Sequence, residues 1–261
     1  MERTYHPFPI LCPKCKVPIT IASLSFSIEF SATLLIKQEL PTYMRIISLV
    51  LARGNSKGVP NKHIRLLGNK PLIRHIIDAA KQSRLEQIFV SSDSQEILDL
   101  CKDVKVILRP PELAQDDTPS IDAVRHALNF FVADYVVLLN SCTPFTSSTD
   151  INSMIEIAER TGCDSVVSLT EDFSCHPSKT CLLDGDRIVS TDTFKTGERQ
   201  KLSKIYKRNS ALYLFRPEVL KENTFFGKDT RGFIMPKSRS YDINDEWDFY
   251  LCDLIMKHGN N

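Results

Sequence analysis

From residue 44 onward, short apolar runs of strand length alternate with stretches of helical periodicity. This alternation is typical of βαβ units, in which helices cover a mainly parallel sheet. The predicted strands cover residues 46–51, 87–91, 104–108, 135–139 and 165–169, and the predicted helices cover residues 71–82, 95–102, 120–131 and 149–160. The pattern therefore predicts an α/β fold with three layers and a mainly parallel sheet.

Two short polar segments resemble helix starts. They are Asp117-Thr118-Pro119-Ser120 and Ser148-Thr149-Asp150. Short polar side chains can accept the unpaired amide N–H groups of a first helical turn. We therefore interpret Asp116 and Asp117 as turn and cap residues rather than as a metal-binding pair.

The pattern changes after residue 169. Residues 179–183 and 187–191 flank Asp184-Gly185-Asp186, a turn sequence typical of a β-hairpin. This predicts a small antiparallel arm inserted at about residues 172–206, and such arms often mediate dimerisation or cover an active site. The chain then returns with predicted strands at 211–215 and 233–235 and a final helix at about 245–257.

Residues 1–43 differ from the rest of the chain. Cys12 and Cys15 have zinc-ligand spacing, but no second pair of Cys or His residues follows to complete a four-ligand site. Residues 17–36 approach the length of a membrane span, yet Glu29 and several serines interrupt them. We expect Met44 to be the natural first residue and the preceding segment to be a start-site extension or a loosely attached appendage of uncertain structure.

Charge and cysteine content exclude several classes of protein. The 33 Lys and Arg residues against 32 Asp and Glu residues give a net charge of +1, which leaves no excess positive charge for non-specific binding to nucleic acid. The eight cysteines are scattered rather than arranged as a disulfide framework. The sequence predicts a cytoplasmic protein without a nucleic-acid or membrane partner.

The loop after the first predicted strand is the candidate ligand site, because ligands bind at the carboxyl ends of strands in an open parallel sheet. It combines two glycines and a serine with the cations Arg53, Lys57 and Lys62. Such a loop suits a triphosphate, whose charge must be neutralised before a nucleophile approaches. It matches neither the dinucleotide-binding nor the P-loop motif. Taken alone, it is more simply interpreted as a solvated turn.

The segment from Arg53 to Lys62 resembles the nucleotide-binding loop of the acylneuraminate cytidylyltransferases, also called CMP-sialic acid synthetases. Residues 109–116, followed by Ser120, resemble the motif that helps to build the cytidine pocket of that family. Further segments at 176–179, 199–213, 225–226 and 239–244 follow in the family's order. The resemblance spans residues 44–257, which we take as one cytidylyltransferase domain, and it is more specific than any single motif.

The resemblance implies a Rossmann-like fold of the nucleotide-diphospho-sugar transferase type. It implies that the anomeric hydroxyl of an acidic nine-carbon sugar attacks the α-phosphorus of CTP, with Mg²⁺ as cofactor, to give a CMP-sugar and pyrophosphate. The catalytic candidates are Lys57, Arg53 and Asp242. The implied nucleotide-binding residues are Ala52, Arg53, Gly54, Asn55, Ser56, Lys57, Lys62, His63, Arg109 and Ser120.

The implied sugar-binding residues are Asn140, Lys179, Arg199, Tyr213, Phe225 and Phe226. Arg199 is the expected clamp for the sugar carboxylate, because a planar guanidinium engages both oxygens. The chain is expected to form a homodimer, and an arm exchanged between protomers would place Arg199 and Lys179 in the neighbour's site. For Tyr213, Phe225 and Phe226, ordinary core packing is the alternative interpretation.

The sequence departs from the family pattern inside the expected site. Asn140 stands in place of a Gln, Thr146 in place of an Arg, and His63 in place of an Asn near the cytosine. The metal ligands are expected to be Asp242 and Asn244, and Asn244 replaces a carboxylate, which lowers the charge available to an ion. The sugar is therefore expected to be a nonulosonic acid such as legionaminic, pseudaminic or N-acetylneuraminic acid. A ketodeoxyoctonate-type synthetase and a non-catalytic sugar-nucleotide-binding relative are the alternatives.

Overall fold

The computed structural model describes residues 44–189 and 203–259. Arg199 and the segment 1–43, with its cysteine pair and its apolar stretch, lie outside the described residues. Within the described part, the cysteines are free. No helix in that part is both long and apolar enough to cross a bilayer.

A seven-stranded sheet forms the centre of the domain. Its strands are β1 (Ile46–Leu51), β4 (Gln87–Ser92), β5 (Lys105–Leu108), β6 (Tyr135–Asn140), β7 (Ser165–Glu171), β10 (Tyr206–Phe215) and β11 (Thr230–Ile234), in the spatial order β11-β7-β10-β6-β1-β4-β5. β1 pairs in parallel with β4 and β6, β4 pairs in parallel with β5, and β11 pairs in parallel with β7. β10 lies antiparallel between β6 and β7. The prediction of a mainly parallel sheet is confirmed.

Helices cover both faces of the sheet, because successive side chains of a strand point to opposite faces. Val50 of β1 packs in one core cluster with α1 (Leu72–Lys81) and α4 (Ser148–Thr161). Its neighbour Leu49 packs in a second cluster with α3 (Ser120–Ala127). The three layers predicted from the alternating pattern are confirmed.

Several element boundaries differ from the prediction. α2 (Gln95–Asp99) ends before residue 102, because the chain turns there and buries Cys101 in the first core cluster. α3 ends at Ala127 rather than near residue 131, and the chain beyond it places the Phe131 ring 4.5 Å from the ring of Phe89. β10 begins five residues before the predicted strand.

The two predicted helix starts are capped differently. α3 begins at Ser120 without a side-chain cap, and the Thr118 hydroxyl donates to the Glu112 carbonyl instead. The interpretation of Asp117 as a cap residue is therefore wrong, although Asp117 lies in a turn as predicted. α4 has a reciprocal capping box, but its cap is Ser147, one residue before the predicted segment. This pairing satisfies two orphan groups at the helix terminus.

The predicted hairpin is present within the described residues. β8 (Leu182–Asp184) and β9 (Arg187–Val189) pair antiparallel, and Gly185 occupies the turn with a φ of +62°. A left-handed backbone at this position favours glycine, since it has no Cβ. A second short hairpin, β2 (Leu66–Leu67) with β3 (Lys70–Pro71), leads into α1. The last helix, α5 (Glu246–His258), begins after Asp245, which accepts from the Asp248 amide N–H at 2.9 Å.

A buried ion pair fixes the segment that precedes α5. The guanidinium of Arg239 donates to both oxygens of Asp150 at 2.8 Å, and Asp150 is 1% exposed. Burial alone would raise the pKa of Asp150, but the hydrogen bonds from Arg239 and Ser147 outweigh burial and hold this pKa below its ordinary value. The pair therefore links the N-terminus of α4 to the loop that contains Asp242.

We predict that Arg239→Ala lowers the free energy of unfolding at neutral pH by about 2 kcal/mol, because it leaves the Asp150 carboxylate buried without its partner. The Asp150 pKa is lower in the folded state, so the pair stabilises at neutral pH and this contribution is lost as the pH falls through that lowered value. The difference between variant and wild type should therefore shrink in acid. Denaturant unfolding at several pH values measures this.

Arg231→Ala is the matched control. Arg231 pairs with Asp229 where both side chains are about half exposed, so its loss should cost less than about 1 kcal/mol. Equal effects of the two variants, or a difference for Arg239→Ala that persists in acid, would contradict the assignment.

Candidate functional site

A cavity of about 430 Å³ opens at the carboxyl ends of β1 and β6. Leu51 and Asn140, the last residues of these two neighbouring strands, both line it. The cavity lies at the edge of the sheet that the parallel topology predicts for a ligand. The predicted site residues that line it are Arg53, Ser56, Lys57, Lys62, His63, Arg109, Ser120, Asn140 and Asn244.

Two cations of the loop converge on one carboxylate. Arg53 Nη1 and Lys57 Nζ each lie 2.8 Å from an oxygen of Asp116, which also lines the cavity. The hydrogen bond from Lys57, with the charges of both cations, holds the pKa of Asp116 below its ordinary value. Asp116 lies in a turn, as predicted, and its side chain is in addition a counter-ion of the site.

Lys62 links the loop to the segment before α5. Its Nζ donates to the Ile243 carbonyl at 2.8 Å, and the Ile243 amide N–H donates to the Cys142 carbonyl at 3.0 Å. The Lys62 ammonium lines the cavity, but a backbone oxygen already holds it. Its first role in the structure is therefore to position residues 242–244 beside the loop.

Gly58 allows this approach. A Cβ at this position would lie 1.9 Å from the Asn244 carbonyl oxygen, well inside any van der Waals contact. The contact is with the backbone rather than with the end of a flexible side chain, so the loop has to move if the glycine is replaced. The loop of residues 52–62 thus packs directly against the residue expected to bind metal.

His63 and Arg109 form the buried wall of the cavity. His63 is 5% exposed, and its Nδ1 has no hydrogen-bond partner within the described protein. Burial, followed by the charges of Lys62, Arg53 and Arg109, lowers the pKa of His63 to about 3, so the imidazole is neutral at physiological pH. Arg109 is 4% exposed, its Nε also has no partner among the described residues, and it lies 3.8 Å from Asp93. Both side chains retain hydrogen-bonding capacity toward a bound molecule.

Three predicted nucleotide ligands are placed differently. The Ala52 amide N–H donates to the Ser91 carbonyl at 3.0 Å, and the Gly54 amide N–H donates to Asp93 at 2.9 Å. These donors hold β1 against β4 and its following loop, so the amides of Ala52 and Gly54 are already paired. Asn55 is exposed and, like the other two, is absent from the lining of the cavity.

A second cavity of about 330 Å³ lies next to the first, and Leu51, Ser120 and Asn140 line both. Its aromatic wall consists of Tyr213, Phe225 and Phe226, with both phenylalanine rings within about 6 Å of the tyrosine ring. Phe225 also packs 5.1 Å from Phe215 of the core. The packing and pocket interpretations of these aromatic residues therefore both hold.

The expected metal residues face a third cavity. Asp242, Asn244 and Asp248 line it, and the Asn244 amide N–H donates to Asp248 at 2.8 Å. Burial raises the pKa of Asp242; the charge of Lys62 opposes this rise, and the Asp248 carboxylate adds to it. The negative charge of Asp242 is therefore incompletely compensated, which suits a cation.

Lys179 stands apart from these cavities. Its Nζ lies 4.5 Å from the centre of the Phe173 ring, and it lines none of the three cavities. The described protomer does not bring it together with the other predicted sugar-binding residues.

A sequence profile described as Cytidylyltransferase matches residues 47–235 of the chain. The match covers the loop, most of the lining of the two strand-end cavities and nearly all of the sheet. The chain belongs to the cytidylyltransferase family.

Relatives in this family include two bacterial proteins of different length. An N-acylneuraminate cytidylyltransferase of Streptococcus agalactiae is 34% identical over 219 residues, which is 79% of this chain and 52% of the relative. A CMP-N,N'-diacetyllegionaminic acid synthase of Legionella pneumophila is 34% identical over 227 residues, 82% of this chain and 97% of the relative. This cytidylyltransferase thus spans about half the length of its streptococcal relative.

The fold is similar to that of a solved CMP:2-keto-3-deoxy-manno-octonic acid synthetase complexed with CTP. The TM-score is 0.66 with 13% identity, and the alignment covers 82% of this chain and 99% of that one. At this identity the comparison supports the fold alone, and it agrees with the Rossmann-like prediction.

The sequence alone does not reveal two charged residues of the site. Asp116 is separated by about 60 positions from the cations it pairs with. Arg208 lines the aromatic cavity, but it lies on a strand that the sequence pattern predicts only from residue 211. The second motif does contain Asp116, so its place in that motif is the available signal.

We predict that Gly58→Ala lowers the free energy of unfolding by about 1–3 kcal/mol, since the new methyl group overlaps the Asn244 carbonyl and forces the loop to move. Denaturant unfolding measures the change. Gly54→Ala is the matched comparison, because its Cβ would lie 3.0 Å from Ser94 Cβ, a tight contact with a side chain. A cost at Gly58 no larger than the cost at Gly54 would contradict the close approach.

Proposed function

We propose that this cytidylyltransferase joins CTP to an acidic nine-carbon sugar of the sialic acid type and releases pyrophosphate. The observation that carries the proposal is the pairing of two adjacent cavities that share Asn140. One has cations and buried hydrogen-bonding groups that suit a nucleoside triphosphate, and the other has an aromatic wall that suits a sugar ring. The names of the streptococcal and Legionella relatives support both substrates.

In the nucleotide cavity, Arg53 and Lys57 are the proposed phosphate ligands. Both are held by Asp116, whose carboxylate lies where an anion would bind. A bound triphosphate would replace this internal counter-ion. The unpartnered nitrogens of His63 and Arg109 are the proposed contacts to the base or ribose, because their hydrogen-bonding capacity is unfilled within the described protein.

The reaction forms a bond between the anomeric oxygen of the sugar and the α-phosphorus, and it breaks the bond from that phosphorus to pyrophosphate. The proton of the attacking hydroxyl is released to water, and no covalent enzyme intermediate is required. The contribution of the protein is to position the two substrates and to neutralise phosphate charge. Asn140, which lines both cavities, marks the point where the reacting atoms meet.

Mg²⁺ is the proposed cofactor, and the residues present fit it. The carboxylate of Asp242 is half-buried and incompletely compensated, and the Asn244 side chain is close enough to donate to the Asp242 carbonyl at 3.1 Å. Mg²⁺ binds through one or two carboxylates together with waters and substrate phosphates. When bound, the ion would neutralise charge on the triphosphate. Asp242 would hold it and Asn244 would supply a neutral oxygen.

A homodimer and a cytoplasmic location complete the proposal. The described hairpin exposes Leu182, Leu183, Ile188 and Val189. Such an apolar surface supports a partner protomer on the inserted arm. Equilibrium sedimentation tests the dimer, and a monomer with full activity would contradict sites shared between protomers.

Pyrophosphate release with CTP, Mg²⁺ and a panel of keto-acid sugars tests the function. Turnover of N-acetylneuraminic or N,N'-diacetyllegionaminic acid supports the proposal. Selective turnover of ketodeoxyoctonate would indicate the other synthetase type. CTP binding without turnover of any acid would indicate a non-catalytic relative.

We predict that Lys57→Ala weakens CTP binding on the order of tenfold to a hundredfold, because one charge-assisted contact to phosphate is lost. Titration calorimetry with CTP and the KM for CTP measure the effect. Lys102→Ala is the matched control, since Lys102 is similarly exposed and pairs with Asp99 outside the site. Unchanged CTP affinity in Lys57→Ala would remove Lys57 from the phosphate role.

A second prediction concerns the metal. Asp242→Asn should raise the Mg²⁺ concentration needed for half-maximal activity on the order of tenfold, because it removes the charged ligand. Asn244→Asp should shift that concentration in the opposite direction by adding a second carboxylate. Magnesium titrations of pyrophosphate release compare the two variants. Shifts of the same sign would argue against a shared ion.

A further inference from the structure

The carboxylate of Asp116 occupies both proposed phosphate ligands at once. Its Oδ1 lies 2.8 Å from Arg53 Nη1, and its Oδ2 lies 2.8 Å from Lys57 Nζ. A phosphate group would engage the same two cations through two of its oxygens. Within the nucleotide cavity, Asp116 is therefore an internal anion at the position that the proposed function gives to the triphosphate.

The turn that contains Asp116 is held without these ion pairs. It follows a short 3₁₀ helix (Pro111–Ala114). The Gln115 side-chain amide donates to the carbonyl of the first residue of this helix at 2.9 Å, and the Thr118 hydroxyl donates to the Glu112 carbonyl at 3.0 Å. These bonds keep Asp116 beside the cavity whether or not its carboxylate is paired, so the side chain is free to leave the cations and return.

The two ion pairs are exposed enough to exchange. The side chain of Asp116 is 43% exposed, that of Arg53 is 32% exposed and that of Lys57 is 79% exposed. Water solvates both partners of such pairs, so each pair contributes little to stability. The pair of Arg239 with Asp150 is different, because its carboxylate is 1% exposed. Asp116 can therefore yield its two cations to a stronger anion at little cost.

The buried wall of the same cavity differs from the loop. The Nδ1 of His63 and the Nε of Arg109 have no hydrogen-bond partner within the described protein. A bound base or ribose would satisfy these atoms without displacing a protein group. A bound phosphate, in contrast, must displace Asp116 from Arg53 and Lys57. The protein thus competes with the phosphates of the ligand, while its buried wall leaves hydrogen-bonding capacity for the nucleoside.

The proposed reaction makes this competition useful, because it leaves pyrophosphate in the site. Pyrophosphate retains two of the three phosphates of CTP, so cations that bind the substrate also hold the product. We propose that Asp116 is an internal competitor: it neutralises Arg53 and Lys57 in the free enzyme, yields them to CTP and takes them back as pyrophosphate leaves. This inference rests on the proposed function and adds to it a residue that weakens phosphate binding rather than strengthening it.

The test removes the charge of Asp116 and retains its shape. D116N keeps the size of the side chain and one of its oxygens, but the neutral amide no longer competes for the cations. Titration calorimetry at a fixed Mg²⁺ concentration compares the affinities of wild type and variant for CTP, inorganic pyrophosphate and cytidine. D116N should bind CTP and pyrophosphate about threefold to tenfold more tightly, since two exposed ion pairs no longer have to be broken. Its affinity for cytidine, which has no phosphate, should equal that of wild type.

Two further variants separate competition from a general change in charge. D117N removes the same charge from the neighbouring residue, which is exposed and absent from the lining of the cavity. Its affinities for CTP and pyrophosphate should match those of wild type. D116E restores the charge and should lie closer to wild type than D116N does. Turnover gives an independent readout, because pyrophosphate should inhibit CMP-sugar formation by D116N at concentrations about threefold to tenfold lower than for wild type.

The outcomes are distinguishable. With a wild type that binds CTP, a D116N variant that binds pyrophosphate no more tightly contradicts the Asp116 assignment alone, and so does equal tightening in D117N. A D116N variant that also loses affinity for cytidine contradicts the assignment too, because Asp116 would then be a structural residue. A wild type that binds neither CTP nor pyrophosphate contradicts the proposed function itself.

Discussion

Charge compensation at the carboxyl edge of the sheet is the constraint on which this site depends. Arg53 and Lys57 are brought to the end of β1, where their mutual repulsion has to be offset. Asp116 supplies the balancing charge from the other side of the cavity. The triphosphate of the proposed substrate would offer more negative charge than this one carboxylate and would take its place between the two cations.

The fold follows from sequence where burial alone decides the structure. β1 and β6 are continuous apolar runs because they lie in the middle of a sheet covered on both faces, and their predicted bounds agree with the structure to within one residue. Helix ends are less predictable. α2 and α3 stop where Cys101 and Phe131 turn into the core, and a periodicity pattern carries no information about such long-range packing.

The residues of the site also fall into two groups: those that a sequence motif groups together, and those that only the fold brings together. The loop residues Arg53, Lys57 and His63 are close together in the chain, so a sequence motif is enough to group them. The groups that contact this loop come from distant parts of the chain. Asp116, in a distant loop, pairs with Arg53 and Lys57. The Asn244 carbonyl, in the segment before α5, packs against Gly58. The motif predicts Lys62 as a phosphate ligand, and the structure adds a hydrogen bond from its ammonium to the Ile243 carbonyl, which positions the segment before α5.

The replacement of a carboxylate by Asn244 is better understood from these contacts than from the motif. The Asn244 backbone carbonyl packs on Gly58, and its amide N–H binds Asp248, so the backbone of this residue couples the nucleotide loop to α5 whatever its side chain is. The side chain is therefore free to change from acid to amide without loosening the loop. Asp248, which adds to the rise in the pKa of Asp242, retains negative charge close to the position where the motif lost it. The negative charge that would attract the proposed Mg²⁺ is thus supplied by Asp242 and Asp248 rather than by motif positions 242 and 244.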